Sequence, residues 1–216
     1  IKRIRYTTSH PKDMKEDLID AYKNSLKLMP LVHLPVQSGS DNILKLMNRN
    51  HTIEDYMHIF EKLKKINDKI EFSSDFIIGY PGEQDHDFKK TLNLIEKINF
   101  INSYSFIFSA RPGTVAFDLK LIDKKISMQR LEIIQNKLYE NQINKNKLFK
   151  DQTIEVLVEN LTDDKTQTFG RSEYMTSVVF NGNKEHIGKI VQVKIKEFNR
   201  TTLFGEIVED LDKKVA

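Results

Sequence analysis

Ser74-Asp75-Phe76-Ile77-Ile78-Gly79-Tyr80-Pro81-Gly82-Glu83 is the stretch on which the reading of the fold turns. A short apolar run halts at two glycines and a proline, the pattern of a buried strand that ends in a tight loop. Residues 71–78 are therefore read as a strand. Residues 85–98 are its following helix, because Phe88, Leu92 and Ile95 fall on one face. The same unit recurs on both sides. Upstream, residues 2–8 alternate basic with apolar side chains, and Leu18, Ile19, Tyr22 and Leu26 then recur at helical steps. Residues 31–34 form a second apolar run, ended by Pro35. After the turn at Gly39, Ser40 or Asp41 caps a short helix, and Thr52 with Asp55 resembles a capping box for a helix bearing Ile53, Tyr56, Ile59, Phe60 and Leu63. Downstream, residues 103–108 make a fourth strand, broken by Arg111-Pro112-Gly113. Strands alternating with helices predict a parallel sheet covered by helices. Spacing alone does not separate an open sheet from one curved into a barrel, and four strands are too few for closure.

From residue 127 to 149 a longer helix carries Leu131, Ile134 and Leu138 on one face, and beyond it the character of the chain changes. Residues 153–159, 168–171, 177–180, 187–198 and 202–208 read as short strands separated by turn residues, as in a small β-barrel. All 5 prolines precede residue 113, which sharpens the boundary. The expected architecture is thus an α/β part, residues 1–150, a partial barrel with a linking helix, followed by an all-β part, residues 151–216.

The balance of 39% hydrophobic and 30% charged residues over 216 positions is that of a soluble globular protein. No apolar run reaches the roughly 18 residues of a membrane span, so no membrane partner is expected. No signal peptide is read at the start, and the opening Ile1 implies upstream sequence. The absence of cysteine excludes disulfides and thiolate metal sites within this chain and fits a reducing compartment, with the cytoplasm as default. Residues 1–150 hold 25 basic and 19 acidic side chains and residues 151–216 hold 9 and 12, so the +3 net charge comes from the first part.

Every predicted α/β strand ends in polar or glycine-rich sequence: Thr8-Ser9-His10-Pro11, Pro35-Val36-Gln37-Ser38-Gly39-Ser40, Gly79-Tyr80-Pro81-Gly82-Glu83 and Ser109-Ala110-Arg111-Pro112-Gly113-Thr114. Ligands bind at the carboxyl ends of parallel strands, so four such tips on one rim describe a binding site, although glycine and proline also simply punctuate turns. The glycine spacing matches no phosphate-cradling motif. His10 and His33 read as structural histidines without metal-ligand companions. Asp75, a carboxylate inside an apolar strand, faces either a ligand or a hydrogen-bonding partner. Arg111 suits a bidentate anion contact or an ordinary salt bridge. In the β part Arg171, Lys184, Lys189, Lys194, Lys196 and Arg200 occur among Phe169, Tyr174, Phe180 and Phe198, a mixture that suits stacking on bases and equally a structural module.

Taken in order, Thr8-Ser9-His10-Pro11, His33-Leu34-Pro35-Val36-Gln37-Ser38-Gly39-Ser40-Asp41, Met47-Asn48-Arg49, the residue 74–83 stretch and Phe108-Ser109-Ala110-Arg111-Pro112-Gly113-Thr114 resemble the successive motifs of the radical-SAM methylthiotransferases. Residues 153–208, with Phe169-Gly170-Arg171-Ser172-Glu173 and Gly188-Lys189, resemble that family's TRAM domain, an RNA-binding β-barrel. The resemblance implies a half-closed β/α barrel and methylthiolation of a tRNA adenosine. The branch that modifies N6-isopentenyl adenosine is favoured over the threonylcarbamoyl-adenosine and ribosomal-protein branches. It further implies S-adenosyl-L-methionine and two 4Fe–4S clusters, whose cysteines would lie in a missing N-terminal part of the same enzyme. Ser9, Gln37, Ser38, Asp75, Ile77, Gly79 and Arg111 are the expected wall of the cofactor site, and no residue of this chain is expected to be catalytic or to bind metal. The rival reading is a cysteine-free RNA-binding or scaffold protein.

Overall fold

The computed structural model describes residues 1–7 and 10–208 and orders the main elements as α1 (Glu16–Asn24), β1 (Leu31–His33), α2 (Asp41–Leu46), α3 (Ile53–Ile66), β2 (Glu71–Ser73), β3 (Asp75–Ile78), α4 (Asp85–Ile98), β4 (Tyr104–Ile107) and α5 (Lys124–Leu148). The strands β5 (Thr153–Leu161), β6 (Thr168–Ser172), β7 (Ser177–Asn181), β8 (Ile190–Phe198) and β9 (Thr202–Ile207) follow. Two units meet between Asn141 and Gln142.

Among the described residues of the first unit every pairing is parallel. β1 lies beside β2 with Leu31 opposite Glu71, and β3 lies beside β4 with Asp75 opposite Tyr104. Only Ser74 interrupts β2 and β3. The ladder passes it because the Gln37 amide donates to the Asp75 carbonyl at 3.0 Å and the Ile77 amide to the Gln37 carbonyl at 2.9 Å. The predicted first strand is reduced to single bridges, Ile4 with Leu28 and Thr7 with His33. Its alternation was legible, but it pairs along one side only, too sparsely for a continuous ladder. Neighbours thus run in sequence order with a helix between successive strands, the layout of a β/α-barrel segment without a reversal of strand order.

Alternation puts Val32, Leu34, Val36, Phe72, Phe76 and Ile78 under the helices, where each is at most 1% exposed. Tyr56 and Leu63 of α3 and Leu94, Ile95 and Ile98 of α4 cover them. Each such side chain contributes about 1.5–3 kcal/mol by leaving water. Helix α3 starts where Thr52 and Asp55 close the expected capping box. Leu26 does not join the α1 face: that helix ends at Asn24 and Leu26 is fully exposed.

The second unit closes on itself. Its strands follow the circular order β5-β6-β7-β9-β8, antiparallel except for β7 beside β9, around Val156, Val158, Val178, Phe180, Val193, Ile195 and Leu203. Irregularities between Val158 and Asn160 and between Ile195 and Glu197 bend β5 and β8. Closure also needs close backbone approach at Gly170, where an added Cβ would sit 2.4 Å from the Leu157 carbonyl oxygen. β8 begins at Ile190 rather than 187 because Lys184–His186 forms a short 3-10 turn capped by Asn183. The last turn of α5 belongs to this unit: buried Asn146 donates from Nδ2 to the carbonyls of Asn199 at 2.9 Å and Arg200 at 3.1 Å.

Candidate functional site

Carboxyl ends of β3 and β4, with Gln37 beside them, surround a cavity of about 720 Å³. The pleat decides its lining. Phe76 and Ile78 are wholly buried on the helix side, so Asp75 and Ile77 point the other way, into the cavity. Register places Phe106 beside Ile77, and Phe108 lies two residues further on. Gln37 adopts φ 72°, a left-handed conformation that a side-chain-bearing residue holds only when its surroundings fix it, here through its bonds to β3. Arg111 and Thr114 enter from the loop after β4, where the Thr114 hydroxyl donates to the Arg111 carbonyl at 2.8 Å. Met47 and Arg49 enter from the segment after α2.

The polar end of the cavity sets one carboxylate among cations. Arg49 is half-buried, and burial lowers the pKa of its guanidinium while the charge of Asp75 opposes the shift. His33 hydrogen-bonds the Ser73 hydroxyl through Nδ1 at 2.9 Å and presents Nε2 3.7 Å from Asp75. Asp75 thus lines the cavity and has His33 as a polar neighbour beyond hydrogen-bonding distance. The apolar end is formed by Ile77, Phe106, Phe108 and Tyr80, whose ring meets Phe108 edge-on at 4.8 Å.

Behind this lining lies a buried polar support. The Gly79 amide donates to Glu83 Oε2 at 3.3 Å, and Arg130 of α5 donates to Glu83 Oε1 at 2.7 Å and to Asp85 at 2.5 Å. Glu83 and Arg130 are 4% and 7% exposed; burial raises the Glu83 pKa despite the opposing pull of Arg130. Gly79, at φ 74°, has no room for a side chain, since a Cβ would approach Ser127 Oγ to 2.5 Å. Ser38 is also in this layer: it is 1% exposed, 3.3 Å from the Thr91 hydroxyl, and accepts the Ser40 amide at 3.2 Å. Next to it Asp87 accepts the Ser40 hydroxyl and the Gln84 amide. Burial pulls the Asp87 pKa up, but these bonds and His86 outweigh it and hold it below the usual carboxylate value.

Of the residues expected to wall a cofactor site, Gln37, Asp75, Ile77 and Arg111 line the cavity, Gly79 and Ser38 stand behind it, and Ser9 lies outside the described residues. Arg49, Met47, Tyr80, Phe106 and Phe108 line it too, without having been assigned a role. The alternation that exposes Asp75 and Ile77 extends through the β3–β4 register to Phe106, which was a usable signal. Arg49 stood in the Met47-Asn48-Arg49 motif without a role, because only the folded chain returns it to the strand tips.

In the second unit Arg171 is engaged, with Glu159 at 3.5 Å, the Met175 carbonyl at 3.0 Å and the Phe169 ring at 5.3 Å. Lys196 pairs with Glu206 at 3.2 Å. Lys184, Lys189, Lys194 and Arg200 are exposed. Phe180 is in the barrel core, and Tyr174 is covered by Lys145, whose ammonium lies 4.6 Å from its ring centre.

A parallel β/α segment with a mixed cavity at its strand ends, followed by a five-stranded barrel, defines a two-part class. Residues 1–95 match the Radical SAM superfamily and residues 147–208 match the TRAM domain. Over all 216 residues it is 66% identical to the tRNA-2-methylthio-N(6)-dimethylallyladenosine synthase of Pelagibacter ubique, of which it covers 48%. It is 44% identical over 209 residues to the protein of that name from Ruthia magnifica, of which it covers 47%. The chain therefore spans about half the length of the curated relatives it matches. Coproporphyrinogen III oxidase from Escherichia coli, at 14% identity and a TM-score of 0.54 over 91% of this chain and 46% of that one, shares the fold.

The radical-SAM family implies S-adenosylmethionine and an iron–sulfur cluster. The two fit this chain differently. The cavity offers a carboxylate, two guanidiniums and an amide at one end and aromatic and aliphatic surface at the other, a donor set suited to a charged amino-acid moiety joined to a nucleoside. A cluster needs thiolates, yet the chain has no cysteine, and among the described residues no group of three His, Asp or Glu stands together. Among the described residues no helix is long and apolar enough to cross a membrane.

Proposed function

We propose that this chain is the carboxyl-terminal portion of a transferase that adds a methylthio group at C2 of an N6-dimethylallyl adenosine in tRNA, next to the anticodon. The 66% identity across its whole length to a synthase of that name carries the reading. An aromatic C2–H is too weakly acidic for side-chain bases, and S-adenosylmethionine with its iron–sulfur chemistry supplies the one-electron route. Two 4Fe–4S clusters would be held by cysteines of an amino-terminal portion that acts with this one.

The residues here bind and orient. Arg49 and Arg111 take the ligand carboxylate, Asp75 and Gln37 its hydroxyl and amine donors, and Ile77 with Phe106 the faces of its adenine. The Arg130–Glu83–Gly79 chain of hydrogen bonds fixes the turn that ends β3, so the lining does not have to order itself on binding. The second unit holds the RNA.

Calorimetric titration with S-adenosylhomocysteine, a stable probe of the same cavity, checks the cofactor part. Saturable binding that Asp75→Ala weakens at least tenfold is the expected result; no binding at millimolar probe would overturn it. Iron and sulfide reconstitution should leave the chain colourless, and a brown product with cluster absorbance would contradict the assignment of clusters to another portion. Methylthiolation of tRNA should return on mixing with the amino-terminal half of the Pelagibacter relative. RNA binding without any such rescue would favour the RNA-binding or scaffold reading.

A further inference from the structure

The outer surface of the barrel carries apolar side chains that its core does not use. Phe169 of β6 is the register partner of Val179 of β7, which is the partner of Phe204 of β9. Their neighbours Gly170, Val178, Phe180 and Leu203 are buried, so alternation turns these three outward. All three are half-buried, and none belongs to the cluster that fills the barrel or packs against it. Strands spaced by about 4.8 Å put the two rings roughly 10 Å apart, with a valine between them.

Cations lie beside this row, one of which, Arg171, is also paired with Glu159 at 3.5 Å. Arg171 points to the same side, one residue pair away from Phe169, and its guanidinium lies 5.3 Å from the ring centre. The register Arg171–Ser177–Thr202 then leads to the β8–β9 turn, where exposed Arg200 stands on a backbone pinned by Asn146. Lys184 and Lys189 belong to the far end, beyond Asn181. A protein partner needs about 800 Å² on each side, far more than three half-buried side chains supply. Flat rings beside a guanidinium plane fit planar groups in a negatively charged chain.

We propose that Phe169, Val179 and Phe204, with Arg171, form a platform on which unpaired bases of RNA stack, while Arg200 contacts a phosphate at its edge. This rests on the reading of the second unit as the RNA-holding part.

The test uses the whole chain and two probes, an unstructured octaribonucleotide containing 2-aminopurine and an RNA duplex of equal length. Phe169→Ala/Phe204→Ala should weaken the single strand at least tenfold and abolish the fluorescence change on binding, with the salt dependence unaltered. Phe169→Trp/Phe204→Trp should restore both. Arg200→Gln should instead lower the slope of log affinity against log salt by about 0.7. Lys184→Gln/Lys189→Gln should leave the fluorescence change on binding intact. The proposal is overturned if the alanine pair melts like the parent and still binds equally, if the Lys184/Lys189 pair carries the loss, or if duplex is preferred. Failure of the parent chain to bind either probe would refute the RNA reading itself, a distinct result.

Discussion

Among the described residues the two units bury different polar groups: the first includes charged side chains beside its cavity, the second only uncharged ones, Asn146, Thr168, Ser172 and Thr176 among them. The barrel fills itself with seven fully or almost fully buried aliphatic and aromatic side chains and gives every strand two neighbours. The parallel unit buries Glu83, Asp87, Arg130, Ser38, Ser40 and Thr91 beside its cavity and leaves its sheet unclosed. A closed barrel abolishes edges and can rest on apolar burial. A cavity at strand tips is walled by loops, and fixing loops takes hydrogen bonds whose partners become liabilities when one is lost.

Breaking that support should give the largest effect. Arg130→Met leaves Glu83 buried without its cation, and a loss of about 3–5 kcal/mol is expected for the first unit. Urea unfolding followed by separate probes in each unit measures it, and the combined Arg130→Met/Glu83→Gln variant should recover part of the loss. Equal losses in both units would mean that the polar support does not belong to the first unit alone.

Ile195→Ala is the converse test. It opens a cavity in the barrel core and should cost about 2–5 kcal/mol, confined to the second unit and independent of pH.

Acidification should distinguish the units further. His51 is 7% exposed, neither ring nitrogen has a partner, and burial, followed by the nearby His10 and Arg49, depresses its pKa from 6.5 to about 4. Between those values the unfolded chain binds the proton and the folded chain does not, so stability falls as pH falls through this window, by up to about 3 kcal/mol. His51→Phe should flatten the pH dependence of the first unit's melting temperature between pH 6.5 and 4. Asp87 adds a second loss only at lower pH, because its depressed carboxyl keeps its contribution until it protonates. The smallest effect belongs to Thr52→Ala, which removes the α3 cap and should cost about 1 kcal/mol.

Which of these features could be read in advance follows the range of the interaction that makes them. The strand at residues 71–78, the Thr52–Asp55 cap and the five barrel strands are signalled by neighbours a few residues away, and all are present. Leu26 and the opening strand were misjudged because their periodicity continues past the point where tertiary partners stop. The protein partners of Ser38 and Arg171, Thr91 and Glu159, come from 53 and 12 positions away and could not be read from their own neighbourhoods.

By itself the sequence determined the alternation of strands and helices, the change to an all-β module and the lack of any thiolate for a cluster, since hydropathy period, turn residues and composition are local. The tertiary structure alone decided that Arg49 and Arg111 meet Asp75 in one cavity, that Arg130 reaches across 47 positions to hold Glu83, and that Phe169 and Phe204 lie on one outer face. Those are register and packing facts, set by which distant segments exclude water from one another, and no short window of sequence contains them.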